Sequence, residues 1–167
     1  MKEKLKLPIQ YFAESSPTLS PPVASVYTEL WYAEEEDAGL KQIFGVQSIP
    51  TADTAPEDVT YRTLESGTEF AVQGVRPYES MEVELIYYAE QYKALKALNG
   101  KELYWYTKLP DASGGTASGA KPLVVKWRGS CNVSLAEIAQ DDMVKCTLKI
   151  GKSSVPEDLQ GLPSASV

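Results

Sequence analysis

The sequence predicts a mainly β fold, a β-sandwich or barrel with one flanking α-helix at about residues 88–99. Three observations lead there. Most apolar residues alternate with polar ones at the period of a half-buried strand. A single stretch, between Glu79 and Leu109, switches to helical spacing. Gly, Pro, Asn and Asp punctuate the chain at strand-length intervals, as short strands joined by turns require.

Residues 1–25 hold Pro8, Pro17, Pro21 and Pro22 in a Ser/Thr-rich setting and read as an N-terminal arm without a core of its own. Such an arm is either ordered against a neighbour or a loose terminus. One domain is expected over 26–151, beginning with a strand at 26–33. The run Glu34-Glu35-Glu36-Asp37 reads as a solvated turn. Adjacent carboxylates repel each other and the ligand spacing of a calcium loop is absent. Residues 41–49 read as one strand closed by Pro50, and 50–58 as an extended loop that reaches out of the domain. Residues 59–64 and 69–75 follow as short strands around the hairpin-like Glu65-Ser66-Gly67.

Met81, Val83, Leu85 and Tyr87 then alternate as a strand with Glu82 and Glu84 on the charged side. Tyr88, Tyr92, Leu95 and Leu98 recur at spacings of four and three, one face of a helix. Asn99-Gly100 supplies the stop, since both residues tolerate the left-handed conformation. Leu103, Trp105, Thr107 and Leu109 alternate as the next strand. Residues 111–121 approach a phosphate-binding loop in composition but fail it. Ala120 separates Gly119 from Lys121, Pro122 stands where Ser or Thr is needed, and a strand follows instead of a helix. They read as a flexible hairpin tip. A long strand runs through Leu123, Val125, Trp127, Cys131 and Val133, with Gly129 expected as a bulge. Val144, Cys146, Leu148 and Ile150 alternate as the last strand, and Pro and Ser return over 152–167 as a C-terminal arm.

Composition narrows the function. Lys and Arg number 16 against 23 for Asp and Glu, a formal charge of −7 that argues against a general phosphate-gripping surface. Histidine is absent, which removes the commonest general base and metal ligand and lowers the expectation of catalysis. The two cysteines, Cys131 and Cys146, are too few for a zinc site or a disulfide framework and read as reduced core thiols. The N-terminus does not read as secretory, and no apolar run approaches the ~20 residues that span a bilayer. Glu82 and Glu84 lie two apart on one strand, ~7 Å from each other, near the separation of glycosidase carboxylates. Nothing around them marks a substrate groove, so a polar row facing solvent or a lumen is the better reading. No catalytic residue, cofactor or metal site is expected.

An ordered series of segments carries a resemblance. The first three are Ile43-Phe44-Gly45-Val46-Gln47-Ser48-Ile49-Pro50, Val72-Gln73-Gly74-Val75-Arg76-Pro77-Tyr78 and Met81-Glu82-Val83-Glu84-Leu85-Ile86-Tyr87-Tyr88. Then come Tyr92-Lys93-Ala94-Leu95-Lys96-Ala97-Leu98, Leu109-Pro110-Asp111, Trp127-Arg128-Gly129-Ser130-Cys131-Asn132-Val133-Ser134-Leu135 and Cys146-Thr147-Leu148-Lys149-Ile150. Together they resemble the major tail tube proteins of long-tailed, non-contractile (siphovirus-type) bacteriophages and prophages.

The resemblance implies a virion structural protein and not an enzyme. Its hexameric rings would stack into a tube that conducts DNA during ejection without binding it specifically. It implies self-association, with tape-measure, tail-initiation and tail-terminator proteins as further partners. Neither cofactor nor membrane is implied. The place is the virion tail, with assembly in the host cytoplasm. Glu82 and Glu84 become candidate lumen-facing residues, and Pro50, Asp53, Pro56, Glu57 and Asp58 a candidate ring-stacking loop. A head–tail joining or capsid-decorating protein is the alternative, and a carbohydrate-binding β-sandwich module a further one. The loop at 136–142 departs from the family by lacking glycines.

Overall fold

Alternating strands leave backbone donors and acceptors to be satisfied laterally, and here every strand pair is antiparallel. The structure, a computed structural model, describes residues 25–65, 67–110, 122–140 and 142–163. Its elements are β1 (Glu29–Ala33), β2 (Lys41–Ile43), β3 (Val46–Ser48), β4 (Asp58–Arg62), β5 (Glu69–Gln73), β6 (Ser80–Ile86), α1 (Ala89–Ala97), β7 (Glu102–Lys108), β8 (Leu123–Leu135), β9 (Lys145–Lys152) and β10 (Glu157–Gln160).

Eight strands form one sheet in the order β2-β1-β7-β8-β9-β6-β3, with β10 also paired to β8. The two ends of that order, β2 and β3, are separated in sequence by Phe44 and Gly45 alone. The sheet therefore curls until its opposite edges meet at this corner, giving a half-barrel. Residues 41–49, expected as one strand, are split there because Gly45 adopts φ +74. A Cβ at Gly45 would also lie 2.7 Å from the Tyr88 ring. Glycine alone combines that backbone with that clearance.

The interior of the curl is the core. Leu30, Val83, Leu85, Trp105, Trp127, Leu148 and Ile150 have 0–1% of their surface exposed. Each buried side chain of this size contributes on the order of 1.5–3 kcal/mol. The helix is slightly shorter than expected and directs Leu95 and Leu98 into this core, with Tyr92 against it. Beyond it Gly100 takes φ +79, and its N–H donates to Cys131 O at 2.8 Å. The Asn99 side chain accepts from Val133 N–H at 2.9 Å, tying the helix end to the C-terminal half of β8. Both cysteines are free and buried, and the Cys131 thiol donates to Leu98 O at 3.3 Å.

Gly129 is not a bulge. The register of β8 with β7 runs through it unbroken, and it is the last residue of β8 paired with β9 before β10 takes over at Lys126. It is glycine because a Cβ would lie 2.5 Å from Gly151 O, and its own carbonyl accepts from the Trp105 indole at 3.0 Å. Part of the expected C-terminal arm is β10, which follows β9 along the same side of β8. There Leu159 and Leu162 cover a smaller cluster of Ala33, Tyr106 and Val124 on the outer face of the sheet. The expected flexible tip at 111–121 and nearly all of the expected N-terminal arm lie outside the described residues.

Candidate assembly surfaces

β4 and β5 do not join the main sheet. They form a two-stranded sheet of their own, and every residue of both is exposed. Period two sorts the side chains. Arg62 and Glu69 pair at 2.6 Å on one face, beside Thr60 and Ala71. Val59 and Tyr61 lie opposite Val72 and Phe70 on the other, with the Tyr61 and Phe70 rings stacked at 5.6 Å. That second face is apolar and bare, with Val59 58% and Val72 54% exposed. A lone two-stranded hairpin is marginal in water, so such a face calls for a partner surface.

The candidate stacking residues form one stalk of this hairpin. Asp53 pairs with Arg76 of the other stalk at 3.1 Å, and Glu57 O accepts from Gly74 N at 2.7 Å. Lys152 holds the base by donating to Ala52 O at 2.9 Å. Pro56 is half-buried, Pro50 is exposed at the base, and Asp58 opens β4. Sequence reasoning placed the extension at 50–58, whereas the element that leaves the sheet also includes β4 and β5.

Glu82 and Glu84 both point away from the core on β6, and both are exposed. Glu82 sits opposite Lys149 in the register, with a 3.3 Å ion pair, and Glu84 sits opposite Thr147. Ser130, Asn132 and Ser134 of β8 continue the same face. The structure thus joins the two carboxylates to a broad polar surface on which lysine offsets their charge.

The acidic turn is anchored rather than simply solvated. The Lys126 ammonium, 10% exposed, lies 2.7 Å from Glu36 and 3.0 Å from Asp37. Burial pulls its pKa down, but the hydrogen bonds to Glu36 and Asp37 outweigh this and hold it above the ordinary lysine value. The Tyr106 hydroxyl donates to Asp37 Oδ1 at 2.9 Å and accepts from Asp37 N–H at 3.0 Å. Burial, chiefly, pushes the Tyr106 hydroxyl up to about 12. Nothing in the sequence signals this network, because its partners stand 69 to 90 residues apart.

At the end of the curl away from α1, the interior opens as a cleft of about 410 Å³. Thr28, Val46, Ile49, Ala52, Thr107 and Val125 are among its lining residues. Thr107 is 8% exposed, and its Oγ1 has no hydrogen-bond partner among the described residues. Among the described residues no group of three or more Cys, Asp or Glu is placed to hold a metal ion, and no helix is long and apolar enough to cross a membrane.

No family model matches the chain, and no curated protein matches it. Among solved structures, a chain of the anti-feeding prophage baseplate, determined by electron cryomicroscopy and six-fold symmetrised, has the same fold. The TM-score is 0.64 at 12% identity, over 86% of this chain and 99% of that one.

Proposed function

We propose that the chain is a structural subunit of a phage-type tail, and specifically a tail tube protein whose hexameric rings stack into a DNA conduit. The observation that carries this reading is the fold shared with nearly the whole of a chain from a six-fold symmetrised, prophage-derived baseplate. The uncovered apolar face of the β4–β5 hairpin supports it, since a second copy offers a repeated surface to cover that face. In this reading the hairpin and its stalk residues Pro50, Asp53, Pro56, Glu57 and Asp58 bridge successive rings. The polar face carrying Glu82 and Glu84 lines the lumen. A surface of Ser, Thr and Asn with offset charges gives a phosphate backbone little to adhere to. The subunit performs no chemistry, takes no cofactor, and works in the virion tail after assembling in the host cytoplasm. Its partners are copies of itself with tape-measure, tail-initiation and tail-terminator proteins.

A single ring at one end of the tail is the second reading, favoured by the origin of the similar structure in a baseplate rather than a tube. Negative-stain electron microscopy of the purified chain, across concentration and salt, separates the two. Stacked six-fold tubes support the conduit and isolated rings the terminal role. A persistent monomer that does not grow on a tail-tip complex from its own phage removes both.

A further inference from the structure

The chain holds two asparagines, and their surroundings differ. Asn132 precedes Val133 in the middle of β8, whereas Asn99 precedes Gly100 just beyond α1. In an Asn-Gly pair the following backbone nitrogen has no side chain beside it and closes readily on the side-chain amide carbon. The branched side chain after Asn132 crowds the same attack. Ring closure needs only water. The Gly100 nitrogen gives up its proton to hydroxide and bonds to Asn99 Cγ, the Cγ–Nδ2 bond breaks, and ammonia leaves with a proton from water. Water then adds to either carbonyl of the cyclic imide. Opening on one side gives aspartate. Opening on the other gives isoaspartate, whose backbone runs through the former side chain and is longer by a methylene.

Both reacting groups are tied to β8. The Gly100 N–H donates to Cys131 O at 2.8 Å, and Asn99 Oδ1 accepts from Val133 N–H at 2.9 Å. Cys131 N–H donates in turn to Lys101 O at 3.3 Å. These bonds pull in opposite directions on the chemistry. The Val133 N–H polarises the Asn99 carbonyl and by itself favours attack. The Gly100 bond opposes it and decides the outcome. A nitrogen cannot attack until its proton leaves, and a hydrogen-bonded amide loses its proton only when the structure opens locally. Amide hydrogen exchange depends on that same step.

We propose that Asn99 is a deamidation site that the fold holds dormant, reacting only through the local opening that lets Gly100 exchange its amide hydrogen. The two products differ in consequence. Aspartate keeps a side-chain oxygen to accept from Val133 N–H. Isoaspartate lengthens the backbone between α1 and β7 and moves Gly100 off Cys131 O, which unties the helix end from β8. The site thus records, in covalent form, the time a subunit has spent open, whether or not it assembles.

The test ages the full-length chain at mildly alkaline pH in two states, folded in buffer and unfolded in urea. Peptide mass spectrometry follows Asn99 and Asn132, and NMR reads amide exchange at Gly100 under the folded conditions. Both products should accumulate at Asn99 in urea while Asn132 stays intact. Folding should slow the reaction at least about tenfold, by the factor that it slows exchange at Gly100. Refolding the aged sample should return aspartyl chains to the folded fraction and leave isoaspartyl chains behind. Equal rates in the two states, or a faster reaction in the folded chain, would overturn the guarding role, and the second would make the Val133 N–H an activator. An Asn99 that survives in urea removes the site altogether. A slowing well above or below the Gly100 exchange factor breaks the shared opening, and equal recovery of the two products refutes the difference between them.

Discussion

The curled sheet and the β4–β5 hairpin are made of the same alternating pattern but meet opposite fates. In the sheet the main apolar faces turn inward and are covered by one another and by α1. In the hairpin the apolar face of Val59, Tyr61, Phe70 and Val72 turns outward and stays exposed among the described residues. Period two fixes which residues share a side, not whether that side finds cover within the chain. The sheet covers most of its apolar pattern within the chain, whereas the hairpin leaves its apolar face exposed among the described residues.

The contrast is tested hardest in the core. Trp105 is fully buried and its indole donates to Gly129 O at 3.0 Å. Trp105→Ala is expected to cost about 3–5 kcal/mol in urea unfolding of the dispersed chain, the range for buried aromatics. A loss under about 1 kcal/mol would mean that the curl is not the folding core.

The outer face of the sheet gives the next largest effect, through pH. Tyr106 is buried and its hydroxyl titrates at about 12 rather than 10.0. A raised folded-state value means that the folded chain holds the proton more tightly than the unfolded one. That share of stability is intact below pH 10 and is lost as pH rises toward 12, about 2–3 kcal/mol in full at 1.36 kcal/mol per unit. Lys126, held above its ordinary value by Glu36 and Asp37, adds to the loss in the same direction. Tyr106→Phe should flatten the alkaline limb of a stability–pH curve. An unchanged limb would locate the alkaline weakness elsewhere.

Close approach comes third. Gly129→Ala places a methyl group 2.5 Å from Gly151 O, so β8 and β9 must part locally. A cost of about 1–3 kcal/mol is expected in the same unfolding measurement, the range for overpacking. A neutral result would show that the strands yield freely at that point.

Much of this fold was legible in the sequence, and the parts that were not share a cause. The helix announced itself because Tyr92, Leu95 and Leu98 keep helical spacing and Asn99-Gly100 stops it, all within a dozen residues. β6, β7, β8 and β9 were equally local in their alternation. What stayed hidden was non-local. Residues 41–49 alternate well enough for one strand, and only the meeting of the sheet's two edges at Gly45 divides them. Gly129 looked like a bulge because the Gly151 backbone that forbids a side chain there is twenty-two residues away. The Lys126–Asp37 anchor and the Thr107 hydroxyl are likewise products of tertiary contact. For the candidate surfaces, the shared exposed face of Glu82 and Glu84 was readable from their alternation, whereas the separate β4–β5 sheet to which residues 50–58 lead was not.

The smallest expected effect on stability is the one that sharpens the comparison most. Phe70 stacks on Tyr61 and is 42% exposed, on a hairpin outside the main sheet. Removing a cross-strand aromatic pair costs roughly 0.2–1 kcal/mol locally. Phe70→Ala should therefore change global unfolding by less than about 0.5 kcal/mol, as surface substitutions usually do. Assembly should respond quite differently. If the apolar face seats on a second copy, an aromatic at its centre is worth about 2 kcal/mol or more, and the concentration needed to form rings or tubes rises about thirtyfold. Sedimentation across a dilution series reads that threshold directly. A stability loss as large as that of Trp105→Ala would place the hairpin against its own subunit. An unchanged threshold with unchanged stability would leave the apolar face without a role in self-association.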